Sequence, residues 1–223
     1  MSDARLPGNS HRLIEIGRTG TGKTQAGTWH LSVKNLRRDP WLVWNTKGDE
    51  LLNEIAKMPG SNEIKFSDKI TKPGLYFIRP KPHEMKSEEC EQFLWNIHKR
   101  GHTGMMFDEG YMMDKYSKAL NAIYTQGRSL KIPTITCTQR PAWLSPFALS
   151  EADFFQVFHL NRKGDQKTVE DYVPADLTRR LPDFHSLWYD VGTNTVSEFS
   201  PVPARERILE NFEAQMRFNK RAI

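Results

Sequence analysis

An eight-residue run near the amino terminus, Gly17-Arg18-Thr19-Gly20-Thr21-Gly22-Lys23-Thr24, restricts what this chain can fold into more than any other feature. Its three glycines let the backbone turn so that successive N–H groups converge on one point. The closing lysine and threonine supply the ammonium and hydroxyl that a phosphate chain and its magnesium need. Such a loop works only between a strand and a helix. Here it follows the apolar Leu13-Ile14-Glu15-Ile16 and leads into a segment that reads as helix over residues 23–38. The pattern GxxxxGK[ST] is met in full. Gly17, Arg18, Thr19, Gly20, Thr21, Gly22, Lys23 and Thr24 are therefore expected to bind a nucleotide, with Lys23 against the β- and γ-phosphates and Thr24 on magnesium.

The rest of the chain repeats the order that such a loop requires. Apolar or β-branched runs at residues 41–44, 75–78, 103–107, 133–138 and 154–160 read as strands, and residues 49–57, 88–99 and 113–126 read as helices between them. This alternation predicts an α/β fold, a mostly parallel central sheet flanked by helices. The end differs: residues 186–191 and 195–199 flank Gly192-Thr193-Asn194, a β-hairpin signal, and residues 205–220 carry an amphipathic helix. A single domain over residues 1–223 is expected, with a loose tail at 1–10 and the terminal helix within 203–223.

A second acidic pattern decides the class of chemistry. Met105-Met106-Phe107-Asp108-Glu109 is an apolar strand ending in two carboxylates, at the edge where an α/β sheet presents its ligand. Asp108 is expected to hold magnesium through water. Glu109, one residue on, should point to the other side of the strand and act as general base for an attacking water. Gln139, at the end of a later strand, could sense the γ-phosphate, and Arg128 and Arg140 flank that strand as candidates to stabilise the transferring phosphoryl group, in the neighbouring subunit's site. No N-K-x-D loop for guanine is evident, because Asn45-Thr46-Lys47-Gly48-Asp49 has the wrong spacing, so ATP is the expected substrate with Mg2+ as cofactor.

Other features have ordinary structural explanations. Arg37-Arg38, Arg179-Arg180, Arg217, Lys220 and Arg221 could track phosphates but more often form solvated faces, and the aromatics sit mostly at core spacing. Two cysteines make no disulfide framework or zinc site, and the histidines lack ligand spacing. No leader and no run of about 18 apolar residues is present, so a soluble protein that does not span a membrane is expected.

Two further segments carry a family resemblance. Gln126-Gly127-Arg128-Ser129-Leu130-Lys131-Ile132-Pro133-Thr134-Ile135-Thr136-Cys137-Thr138-Gln139-Arg140-Pro141 resembles the stretch of FtsK–HerA superfamily ATPases in which an arginine precedes a strand ending in Thr-Gln-Arg-Pro. Val43-Trp44-Asn45-Thr46-Lys47-Gly48-Asp49 is similar to that superfamily's second-strand motif, with Asn45 where aspartate is usual, so that an acidic role there is lost or moved to Asp49. Residues 161–165 fall where a polar loop ends a strand, and the similarity runs from about residue 11 to 190. In compactness the chain is most similar to the viral genome-packaging ATPases of tailless, internal-membrane phages.

The resemblance implies a RecA-like core of the ASCE type, a homo-oligomeric ring with sites between subunits, and sequence-independent movement of double-stranded DNA by ATP hydrolysis. It makes Arg128 the leading trans-acting finger and Gln139 the sensor. It also implies work in the host cytoplasm or at a packaging vertex, beside capsid-vertex or membrane-associated viral proteins. A nucleoside or nucleotide kinase, and an ATP-dependent secretion or phage-assembly factor, remain as alternatives.

Overall fold

The computed structural model describes residues 4–216. In chain order its elements are β1 (Arg12–Ile16), α1 (Lys23–Ser32), β2 (Pro40–Asn45), α2 (Glu50–Ala56), β3 (Ser61–Glu63), β4 (Gly74–Ile78), α3 (Glu88–Arg100), β5 (Gly104–Asp108), α4 (Lys118–Leu130), β6 (Thr134–Thr138), α5 (Pro146–Ser150), β7 (Phe154–Val157), α6 (Lys163–Glu170), β8 (Ser186–Asp190), β9 (Thr195–Phe199) and α7 (Arg205–Met216). Together the strands make one sheet in the order β3-β4-β2-β5-β6-β1-β7-β8-β9. Every pairing from β3 to β7 is parallel, and β8 and β9 close the far edge as an antiparallel hairpin.

Parallel strands covered on both faces must be apolar nearly throughout. Accordingly β1, β2, β4, β5, β6 and β7 are buried at every position. Strand alternation then divides the core. Leu13, Val43, Phe77, Met106 and Ile135 meet Leu31 of α1, Leu52 of α2 and Phe212 of α7. Ile14, Trp44, Ile78, Phe107 and Tyr124 pack with Phe93 of α3 and Val169 of α6 on the other face. Strand β6 lies between β1, which leads into the glycine loop, and β5, which carries the acidic pair. That insertion is the arrangement expected of the ASCE type, and it presents the carboxyl ends of three strands side by side.

Several boundaries differ from the sequence expectation for identifiable reasons. Helix α1 stops at Ser32, six residues short of the expected end, and Asn35 turns the chain by accepting from Arg37 N–H through its side chain. The helix expected over 113–126 begins at Lys118, because Asp114 Oδ1 accepts from Tyr116 N–H and Ser117 caps the helix on Leu120 N–H. It continues to Leu130, which puts Arg128 in its last turn. Strand β7 ends at Val157 rather than 160, where the chain crosses to the glycine loop and His159 C=O accepts from Arg18 N–H at 3.2 Å. Strand β3 and helices α5 and α6 went unread, being short or carrying few apolar residues. The tail expected to be loose is tied down where it is described, by Arg5 on Asp190 at 2.7 Å and over the Phe154 ring. Residues 1–3 and 217–223, which include Arg217, Lys220 and Arg221, lie outside the described residues.

Glu15 in β1 is fully buried, with neither carboxylate oxygen hydrogen-bonded. Its nearest charged candidate, His30 Nε2, lies 3.7 Å away but donates instead to Gln156 Oε1 at 3.0 Å. Burial pushes the Glu15 carboxyl well above its ordinary range, against the pull of Lys23, and pushes His30 down to about 4. His30 is therefore neutral near pH 7, and burial favours the neutral form of Glu15. A glutamate titrating near 4.5 when unfolded and much higher when folded leaves the unfolded state with fewer protons between those values, so stability falls as pH rises through that window. Glu15→Gln removes this titration. Its urea midpoint is expected to exceed the parent's at pH 8, with the gap closing as pH falls toward 4.5; a gap that is absent or widens in acid would contradict neutral burial.

Candidate active site

The glycine loop is clamped at its start by the two strands beside β1. Gly17 N–H donates to Thr138 C=O of β6 at 3.1 Å, and Arg18 N–H reaches across the end of β7. A Cβ on Gly17 would stand 2.5 Å from Thr21 Oγ1 and 2.8 Å from Phe158 Cβ, so this position excludes any side chain. Gly22 adopts φ 91° as the N-cap of α1 and gives the helix no side-chain cap. Helices α2, α3, α4 and α5, by contrast, are capped by Asp49, Ser87, Ser117 and Ser145. The open first turn of α1, with the positive end of its dipole, is what an anionic phosphate chain requires.

Facing that turn are the two carboxylates at the end of β5. Thr24 Oγ1 donates to Asp108 Oδ1 at 3.0 Å. Glu109 Oε1 accepts from Lys47 Nζ at 2.5 Å and lies 3.5 Å from Lys23 Nζ, whereas Oε2 has no partner. Strand alternation alone would send Glu109 to the opposite face from Asp108. Its φ of 64°, just past the end of the strand, instead turns it so that both carboxylates address consecutive residues of the loop, Lys23 and Thr24. Burial, then the neighbouring charge of Glu109, push the Asp108 carboxyl up to about 6, against the Thr24 hydrogen bond. Lys47 is held above its ordinary value: partial burial lowers it, but the bond to Glu109 and that residue's charge outweigh the burial. The Asp108 carboxylate, bonded to a hydroxyl rather than an ammonium, together with that hydroxyl and the open helix start fits magnesium, a hard cation that takes few protein ligands beside its waters and phosphates. Thr24 and Asp108 are the residues that could hold it.

Gln139 closes the site from β6. Its Oε1 accepts from Thr19 Oγ1 of the loop at 2.7 Å, and its Nε2 donates to Tyr111 Oη at 3.3 Å. Arg140, next along, lies on the same edge but turns to Asp165 of α6 at 3.5 Å and over the Trp143 ring. Arg128 stands at the opposite edge. Its guanidinium is 3.9 Å from Asp153, which binds Arg12 N–H at the beginning of β1. With five residues in β1 at about 3.3 Å each, roughly 15 Å separates it from the loop of its own chain. Its side chain is 66% exposed.

Asp49 caps α2 on Leu51 N–H and Leu52 N–H, and its charge adds to burial and to the charge of Glu109 in raising Asp108. Asn45 holds the same turn by accepting from Asp49 N–H and donating to Asn53 Oδ1. Lys47 and Tyr111 were missed as site residues. Lys47 reaches the acidic pair because β2 pairs with β5 in a register that sets Asn45 beside Asp108, a contact that no local pattern in the sequence marks. Arg37-Arg38 and Arg179-Arg180 are partly tied up, Arg38 with Asp39 and Arg179 with Glu198.

No protein-family model matches the chain. It is 43% identical over 219 residues to the DNA packaging ATPase P9 of Enterobacteria phage PRD1, an alignment that covers 94% of this chain and 95% of that protein. Among solved structures it is similar to the genome packaging NTPase B204 of Sulfolobus turreted icosahedral virus 2 in complex with ATP-gammaS, with TM-score 0.70 and 20% identity over 87% of this chain and 99% of that one. A further likeness is to ATPases 2 and 3 of EssC from Geobacillus thermodenitrificans, with TM-score 0.63 and 15% identity over 96% of this chain and 44% of that one.

Lys47 fixes the carboxylate that would accept a proton from water, without belonging to the phosphate loop. Lys47→Ala is expected to lower nucleotide turnover by about tenfold or more while nucleotide affinity changes little. Titration calorimetry beside steady-state phosphate release checks this split; unchanged turnover would remove Lys47 from the site.

Proposed function

The chain belongs to the viral DNA packaging ATPases, and from that premise we propose that it hydrolyses ATP at the residue 17–24 loop and uses the energy to drive double-stranded DNA into a preformed capsid. The observation that carries the reading is Glu109, a buried carboxylate with one free oxygen, set beside the lysine of the phosphate loop. Lys23 leaves Glu109 for the β- and γ-phosphates when ATP binds, and the N–H groups of the loop take the phosphate oxygens. Thr24 and Asp108 would hold magnesium, which would supply positive charge to offset that of the phosphates. Loss of the Lys23 contact frees Glu109, still positioned by Lys47, to take the proton of the attacking water. Gln139, resting on Thr19, is placed to feel whether a γ-phosphate is present. Its link through Tyr111 to the half-exposed Trp143 passes that state toward the surface.

Arg128 supports a ring. It stands far from its own loop, exposed, on the edge that a neighbouring subunit's nucleotide could face, and there it would stabilise the transferring phosphoryl group in trans. Arg140 is occupied by Asp165 and Trp143, which favours Arg128 for this role. DNA contact by such a ring would be through phosphates and independent of sequence, in keeping with a net charge of +5. Among the described residues no helix is long and apolar enough to cross a membrane, so attachment at a packaging vertex would rest on another protein.

The test is phosphate release with and without long duplex DNA. Stimulation by DNA, abolished in Lys23→Ala, is expected; release indifferent to DNA, or a phosphorylated nucleoside product, would favour a kinase instead. A second measurement addresses the ring. Arg128→Ala subunits mixed with Lys23→Ala subunits should regain part of the activity that each lacks alone, and no recovery in assembled mixtures would count against action in trans.

A further inference from the structure

The groups that would act on the γ-phosphate all come from one side of β1. Lys47 follows β2, Glu109 follows β5 and Gln139 follows β6, and these strands lie on the same side of β1 in the sheet. A nucleotide whose terminal phosphate points that way must direct its nucleoside to the other side, toward β7 and β8. One aromatic ring waits there. Residues 182–185, just before β8, form a turn in which His185 N–H donates to Pro182 C=O at 3.1 Å, and Phe184 occupies its third position at φ 61°. Glycine or asparagine ordinarily takes that position, because a side chain is crowded there by its own backbone. A bulky residue persists in such a conformation chiefly at functional sites.

Burial in the core does not explain the ring. Phe184 is 55% exposed and belongs to neither core cluster. What it touches is the phosphate loop: its Cδ1 lies 3.1 Å from the place a Cβ on Gly22 would occupy, directly before Lys23. The carboxyl-terminal segment also reaches the start of α1 one turn on, where Gln25 Nε2 donates to Pro203 C=O at 2.9 Å. A flat apolar face thus stands at the nucleoside end of the loop, on a turn whose conformation is kept at a cost.

We propose that Phe184 is the platform on which the purine base of the bound nucleotide stacks. The inference rests on the reading of residues 17–24 as an ATP site. A phenyl ring offers a π-face but no donor or acceptor, so it would add affinity for the base without reading its edge.

The test compares magnesium-dependent binding of ATP and of inorganic tripolyphosphate, which has the phosphates but no base, to the full chain and its variants. Phe184→Ala is expected to weaken ATP by about tenfold or more while leaving tripolyphosphate unchanged. Phe184→Tyr should bind ATP as the parent does. Phe184→Gly, which suits the backbone conformation, should lose ATP affinity as Phe184→Ala does, separating the ring from any effect of strain. ATP binding unaltered in the alanine and glycine variants, or an equal loss for tripolyphosphate, would overturn the proposal. A parent that binds neither ligand would overturn the ATP-site reading on which it rests.

Discussion

Two carboxylates of like charge, adjacent in sequence and almost fully buried at the end of β5, are the constraint around which the rest of the site is arranged. An unpaired buried charge costs several kcal/mol, so each must have partners close by. Asp108 finds the Thr24 hydroxyl, and burial together with its neighbour raises it to about 6. Glu109 finds Lys23 and Lys47. Three segments therefore have to meet: the loop after β1, the turn after β2 and the end of β5. The sheet order brings them together, with β2 on one side of β5 and β6 on the other, next to β1.

The same order distributes the remaining roles. The groups proposed for hydrolysis cluster on the β5 side of the phosphate loop, and the proposed place for the nucleoside is the β7 and β8 side. Arg128 is carried by α4 to the edge where the strands begin, roughly 15 Å from the loop of its own chain, and on the proposed reading it would serve another subunit's nucleotide. In the proposed ring, a single subunit would offer its own phosphate loop and an arginine to its neighbour's site. Gln139 bridges the loop and Tyr111, and through Tyr111 it would give a terminal phosphate a route to the exposed Trp143. Binding of ATP, by drawing Lys23 away from Glu109, would convert a neutralised carboxylate into a base.

Much of this was legible in the sequence because buried parallel strands and a phosphate loop leave strong local marks. The apolar runs at 41–44, 75–78 and 103–107, and the eight residues from Gly17 to Thr24, needed no tertiary information. What escaped depended on neighbours distant in the chain. Lys47 matters only because β2 lies against β5, and Tyr111 only because β5 and β6 are adjacent. The helix expected from residue 113 starts later because Asp114 holds a turn and Ser117 caps α4, and an apolar residue at Met113 hides both. Helix α6 buries little beyond Asp165 and Val169, too faint a stripe to see. The orientation of Glu109 contradicts simple alternation because its backbone turns left-handed just past the strand. Asn45 and Asp49 carry a family signature but build a turn and a helix cap here.

On the proposed reading the two carboxylates divide the chemistry, Asp108 holding the metal and Glu109 activating water. The most direct measurement is ATP affinity with and without magnesium, alongside single-turnover hydrolysis, in Asp108→Asn and Glu109→Gln. Asp108→Asn should lose the gain in ATP affinity that magnesium confers. Glu109→Gln should keep that gain yet hold ATP without cleaving it. Equal loss of the magnesium effect in both variants, or normal hydrolysis in Glu109→Gln, would contradict the division.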